Sequence, residues 1–419
     1  MKAALGSAPL AGPSGPKKGG GTKREGIAES GLRLAALGLE SEFALTIDDV
    51  PARPEDIFGD PRSFLRGERM HRVGTSYHLH TGGAVYFDTG VIEVATPVIE
   101  IGRASAARAG RSLWEGILEV RAALDDWEER EARDARLVGF STHYNVSFEL
   151  PRHEQGANRT VEKLALLLSY IVPIPVMLLA ANRESTGIGV RPRGDRIEVT
   201  ADFTPSPSLM IATATLVVGI VREVMTWPSF GLETLEREGI PVIAGFRPIP
   251  HTSRKGWLAR YTCFPANPFC SDIDTHLWPT RAHGELSLRE LAGRIVRYFW
   301  RPIRRLSDPF TFRLIGSVIR GRAPSLLELD ERPAEYADVG RLCRWDNLFP
   351  EHKLSRSLYE RVLIRAIAGK TLRLGRNRYL PVRMQGWSRV VFRREDSGTL
   401  HTFPIDYLVG HLREWDEEG

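Results

Sequence analysis

The sequence predicts an α+β fold, a curved sheet packed by helices and followed by a small C-terminal α/β unit. Three observations predict it. Short runs rich in β-branched and aromatic residues are separated by helical stretches. Polar side chains recur in those runs at period two, as on a strand with one wet face. One long amphipathic helix, with Leu113, Ile117, Val120, Leu124 and Trp127 at helical spacing and charged residues on its other faces up to Arg136, needs a sheet to lie on.

In chain order, residues 1–30 are rich in Gly, Pro, Ala and Lys around GPSGPKKGGGTK and predict a disordered tail. Residues 31–330 read as the main domain and 331–419 as a small C-terminal one, in keeping with a 419-residue chain at about 100–200 residues per domain. Strands are expected at Gly38–Leu45, Ala84–Asp88, Val91–Ala95, Leu137–Glu149 and Arg196–Ala201. The apolar run Leu164–Ala180 approaches the lower limit for a membrane span. It holds Ser169, Tyr170, Pro173 and Pro175, which favour a buried helix broken by prolines. A largely apolar helix follows over Leu209–Trp227, capped near Ser206 or Ser208. Ser287-Leu-Arg-Glu290 has the spacing of a capping box opening a helix to about Trp300. Beyond Pro333 come a helix near Leu354–Ala368, strands at Ser388–Arg393 and Thr399–Ile405 joined through Asp396-Ser397-Gly398, and a short final helix.

With 42% hydrophobic, 26% charged and 9% aromatic residues, the composition excludes a wholly disordered, collagen-like or coiled-coil chain. Cys263, Cys270 and Cys343 contain no C-x-x-C pair, so neither a disulfide framework nor a cysteine zinc site is expected, and a reducing cytoplasm is the simplest setting. The net charge is +5, although the cations comprise 49 Arg and only 8 Lys. Arg301, Arg304, Arg305, Arg320 and Arg322 interleave with Trp300 and Phe310, as in surfaces that hold a phosphate backbone. Against that, the net charge is small and Arg-rich amphipathic helices are commonly solvated faces, so neither nucleic acid nor a membrane is an expected partner.

Four clusters carry chemistry. In GLESEF, Glu40 and Glu42 lie two apart on a strand and point to one face, where like charges need solvent or a cation. In AVYFD-TG-VIEVATPVIE, Tyr86 and Asp88 share a face, and Glu93 and Glu100 punctuate an apolar stretch where an unpaired charge is costly. In STHYNVSFE, His143 and Asn145 alternate with Thr142, Tyr144, Val146 and Phe148, although a lone histidine there also reads as a core residue. In RIEVTAD, Arg196, Glu198 and Thr200 share a face. Brought together on one concave surface, these groups suit hard divalent cations such as Mg²⁺ or Mn²⁺.

In this order the motifs resemble the glutamine synthetase and glutamate–cysteine ligase superfamily over about Gly38 to Arg222. GLESEF looks like its G-x-E-x-E-F strand, EVAT with a later Glu like its second acidic strand, STHYN like its histidine strand, and RIEV with SLMIATATLVVGI like its R-x-E segment and following helix. Within it, TGGAVYFD before IEVAT, and H-x-N at His143 and Asn145, are most similar to the Pup ligase and depupylase branch. Thr200 stands where glutamine synthetases commonly carry a substrate-gripping Arg, and Val91-Ile92 stand where the branch has His-Pro.

The resemblance implies a mainly antiparallel sheet, Glu42, Glu93 and Glu100 around one divalent ion, and Glu40, His143 and Glu198 around another. It further implies Asp88 as base, Arg196 facing the γ-phosphate, and Arg191 and Asn145 beside the nucleotide. The implied activity is an ATP- and Mg²⁺- (or Mn²⁺-) dependent ligase joining a carboxylate to an amine, with a small protein or peptide among the substrates to consider. A nucleotide-dependent isopeptidase and a non-catalytic sensor on the same scaffold are the alternatives.

Overall fold

The structure, a computed structural model, describes residues 33–65, 77–149, 156, 158–194, 196–251, 255–346 and 354–415. The tail expected over residues 1–30 lies outside these.

A curled antiparallel sheet of eleven strands is built around β1 (Arg33–Ile47). The other strands in chain order are β2 (Val50–Ala52), β3 (Tyr77–His78), β4 (Ala84–Asp88), β5 (Val91–Ala95), β6 (Ile99–Glu100), β7 (Ala135–Glu149), β8 (Gly187–Arg193), β9 (Arg196–Asp202), β10 (Ile249–Pro250) and β11 (Trp257–Arg260). They run β10-β11-β8-β9-β7-β1-β5-β4-β3, with β2 and β6 each paired to β1. The period-two pattern fixes which face of the sheet each side chain takes. Leu37, Leu39, Phe43 and Leu45 of β1 are buried on one side while Glu40 and Glu42 face the other, and a one-residue slip would reverse both sets.

Helices cover the apolar side. After the short α1 (Pro54–Phe58) and α2 (Pro61–Phe64), α3 (Ser105–Glu131) packs on β1 and β5 through Leu113, Ile117, Val120 and Leu124, all fully buried. Each such side chain contributes about 1.5–3 kcal/mol. The apolar run forms α4 (Val161–Ile171) and α5 (Pro173–Ala180), bent by 60° where Pro173 and Pro175 remove backbone donors. The next helix, α6 (Pro207–Val224), is capped by Ser206 and has the length and apolarity of a membrane span, yet 78% of it is buried inside the protein. Beyond α7 (Glu233–Arg237) and the hairpin β12 (Trp278–Thr280) and β13 (Gly284–Leu286), the helices α8 (Leu288–Tyr298), α9 (Trp300–Leu306) and α10 (Pro309–Ile319) form an outer layer on α5 and α6. The Ser287–Glu290 capping box opens α8.

The C-terminal residues form α11 (Leu358–Ile367), a four-stranded antiparallel sheet of β14 (Leu372–Leu374), β15 (Asn377–Gln385), β16 (Arg389–Arg394) and β17 (Leu400–Pro404), and α12 (Ile405–Gly410). They have their own apolar cluster, including Val362, Leu372, Val390, Phe392 and Leu408, which Ala36 of β1 joins. Glu360 of α11 is fully buried, and its Oε1 accepts from Arg111 Nη2 at 2.5 Å and from Ser112 Oγ at 2.8 Å on α3.

Candidate functional site

The polar face of the main sheet carries the clustered acids, and cross-strand register assembles them. Glu42 lies opposite Glu93 on β5 and Ser141 on β7; Glu40 lies opposite His143, and Tyr86 opposite Glu93. A run of E-x-E against S-x-H therefore places four functional groups within two residue steps. Ligand atoms of Glu40, Glu93 and His143 lie within 4.8 Å of one another, as do those of Glu42, Asp88 and Glu93. Glu93 belongs to both sets.

Contacts are close but not saturated. His143 Nδ1 is 3.6 Å from Glu40 Oε2 and 3.8 Å from Glu93 Oε1, while Nε2 is 3.5 Å from Glu42 Oε1. His143 is buried, and its Nδ1 has no hydrogen-bond partner among the described residues. Ser141 Oγ donates to Glu42 Oε2 at 2.5 Å. Burial, with the charges of Glu40 and Glu42, pushes the Glu93 carboxyl up to about 8. Burial also opposes ionisation of Glu40, but His143 beside it, Arg196 and Asn145 outweigh that and hold it at about 2. 

Burial likewise disfavours the imidazolium of His143, yet Glu40, Glu42 and Glu198 raise it above its ordinary range. Without a cation, then, the apposed acids favour the protonated forms of both Glu93 and His143. A divalent ion would supply positive charge directly. The donor chemistry fits: the all-oxygen set of Glu42, Asp88 and Glu93 suits Mg²⁺ or Mn²⁺, and the set with imidazole suits Mn²⁺ better than Mg²⁺.

Arginines border this cluster on the β8–β9 side. Glu198 is buried, bonded to Arg191 and held at 2.9 Å by Arg193 Nε, and although burial works against its charge, His143, Arg191 and Arg193 keep it below the usual carboxylate range. Arg191 Nη2 lies 3.4 Å from His143 Nε2. Arg196 Nε donates to Asn145 Oδ1 at 2.8 Å. Asp88 ends β4 and accepts from Thr89 Oγ1 at 2.7 Å.

The structure thus brings Glu40, Glu42, Glu93, His143 and Asp88 together and places Arg191, Arg196, Asn145 and Glu198 next to them. It does not bring Glu100 there. Glu100 pairs with Ala36, four residues along β1 from Glu40, and its two oxygens accept from Leu358 N at 2.7 Å and Tyr359 N at 3.1 Å, at the N-terminus of α11. Glu198 stands outside both ligand sets because arginines engage its carboxylate. The sharing of Glu93 between two sets depends on a register that local motifs do not specify. At the far end of β9, Asp202 Oδ2 accepts from Asn182 N, and a cavity of about 370 Å³ is lined by Asn182, Arg183, Glu184 and Arg332 among others. Arg332 comes from a distant segment with no motif to mark it.

No family model and no curated protein matches the chain. Among solved structures it is similar to the Pup ligase PafA in complex with the prokaryotic ubiquitin-like protein Pup, at 10% identity over 92% of this chain and 94% of that one, with a TM-score of 0.42. It is also similar to PafA in complex with ADP, at 12% identity over 81% of this chain and 90% of that one, with a TM-score of 0.27.

Proposed function

We propose that the protein is an ATP- and divalent-cation-dependent ligase that joins a carboxylate to an amine through an acyl phosphate. The observation that supports this reading is the convergence of Glu40, Glu42, Glu93, His143 and Asp88 into two ligand sets sharing one carboxylate, beside Arg191 and Arg196. Such chemistry needs a cation cluster to neutralise a migrating phosphoryl group and a nearby base for an attacking amine. ATP with its metal ions supplies the phosphoryl group that turns a poor acyl donor into a good one. The acids and His143 hold the ions, and Arg196 lies where it can add charge stabilisation. Asp88 takes the proton lost by the amine as its nitrogen bonds to the acyl carbon and phosphate leaves. The TGGAVYFD–IEVAT and H-x-N motifs, which resemble the Pup ligase branch, make a small protein or peptide the first substrate class to try.

The test supplies ATP, Mg²⁺ or Mn²⁺, a panel of carboxylates including peptides, and hydroxylamine as the amine. The expected result is hydroxamate with one ADP and one phosphate per product, falling at least about 100-fold in Glu42→Gln. Absence of nucleotide binding by calorimetry in the presence of either metal would overturn the reading. Product formed without stoichiometric ATP consumption would replace the ligase with a hydrolase.

A further inference from the structure

The net charge of +5 conceals a local concentration of cations in the sequence. Residues 291–306 contain five arginines, Arg294, Arg297, Arg301, Arg304 and Arg305, and no Lys, Asp or Glu. Arg294 and Arg297 lie three residues apart on α8, Arg304 and Arg305 lie three and four residues from Arg301 on α9, and all five are exposed. Arg313, Arg320 and Arg322 extend the positive charge across and beyond α10, where Asp308 is the only acid up to Leu327 and is engaged in capping α10.

Among the described residues none of the eight is within ion-pair distance of a carboxylate, whereas Arg111, Arg121, Arg289 and Arg341 all are. Arg222 of α6 is half-buried and its Nη1 has no hydrogen-bond partner among the described residues. Burial and the adjacent Arg305 charge hold it below its ordinary range. Exposed rings stand among the cations. The guanidinium carbons of Arg301 and Arg304 lie 5.9 and 5.8 Å from the centroid of Trp300, which is 39% exposed, and Phe310 is 57% exposed.

We infer that the α8–α10 surface binds single-stranded nucleic acid. Arginines with no ion-pair partner among the described residues supply phosphate contacts, and Trp300 and Phe310 supply ring faces on which unpaired bases stack. A membrane fits less well, because Leu288, Leu291 and Ile295, the apolar face of α8, are buried in the core, and the exposed apolar groups there are single rings rather than a continuous face to insert. An acidic protein would use the arginines but has no need of the rings. This activity is independent of the ligase reading, and it reverses the expectation drawn from net charge, which sums over the whole surface and says nothing of its distribution.

The test measures fluorescence anisotropy of the full chain with labelled oligouridine and oligothymidine of about 20 nucleotides, from about 50 to 200 mM salt. Binding should weaken with salt, and the triple variant R301A/R304A/R305A should lower the slope of log K against log salt by about 2. W300A should weaken binding by about tenfold, the loss of one stacked base. R383A/R389A, which removes two exposed arginines from the C-terminal sheet, should leave it unchanged. Thermal melts of each variant establish that it is folded. No binding at low salt would overturn the inference, as would equal losses in the C-terminal variant. Competition by polyglutamate or by anionic vesicles as effective as that by the oligonucleotides would also overturn it.

Discussion

Glu93 is the residue on which the site turns. It faces Glu42 across one strand pair and Tyr86 across the other, is almost fully buried, and lies in both ligand sets. If it holds ions, Mn²⁺ at about 100 times its Kd should stabilise the protein by about 2.7 kcal/mol. Differential scanning fluorimetry should then show a rise in Tm that Glu93→Gln abolishes. Glu100→Gln should behave in the opposite way. It should lose about 1 kcal/mol of stability, because it weakens a charge-assisted cap on α11, while the Mn²⁺ response persists. Loss of that response in Glu100→Gln would restore Glu100 to the ion site.

Asp202 offers a pH test at the same scale. Burial pushes its carboxyl up to about 6 despite the Asn182 backbone donor and Ser185. A folded-state value above the unfolded one means that stability from the protonated form is fully present below about pH 4 and is lost as pH rises through 6. Asp202→Asn should therefore stabilise the protein by about 1–3 kcal/mol at pH 8, with the difference vanishing near pH 4 in urea titrations.

Among the elements, the strands with one wet face were the most legible. The alternation in β1, β4, β5, β7 and β9 marks buried and polar faces directly, and the proline break between α4 and α5 follows from missing donors. Two strands are not legible in the same way. The G-I-G-V-R-P-R run of β8 has glycines and a proline that lower strand propensity, and pairing on both sides, to β9 and β11, overrides them. In β15, Pro381 sits at a register shift, where a missing donor is tolerated. The TGG turn before β4 has a steric basis. Gly82 has φ +90°, and a Cβ on Gly83 would come 2.4 Å from the Ala95 carbonyl oxygen. Gly83→Ala should cost about 1–3 kcal/mol by overpacking. Because β4 carries Tyr86 and Asp88, the same variant should also weaken the Mn²⁺-induced rise in Tm.

For the whole molecule, the buried ion pair between α3 and α11 ties the C-terminal elements to the main sheet's helical layer. Glu360→Ala would leave Arg111 buried without its main partner and should cost about 3–5 kcal/mol in chemical denaturation, whereas the double variant R111M/E360L should recover most of the loss. Equal destabilisation in both variants would show that packing, not charge, holds this contact. The sequence by itself determined which residues form strands with a polar face and which acids share each face, because side-chain alternation is a local property of the backbone. Only the tertiary structure decided that Glu93 and not Glu100 meets Glu40, Glu42 and His143, because register between strands distant in sequence sets which carboxylates converge. The arginines follow the same rule: composition fixed their number, and only the folded surface shows which of them lie beside acids and which are left facing solvent.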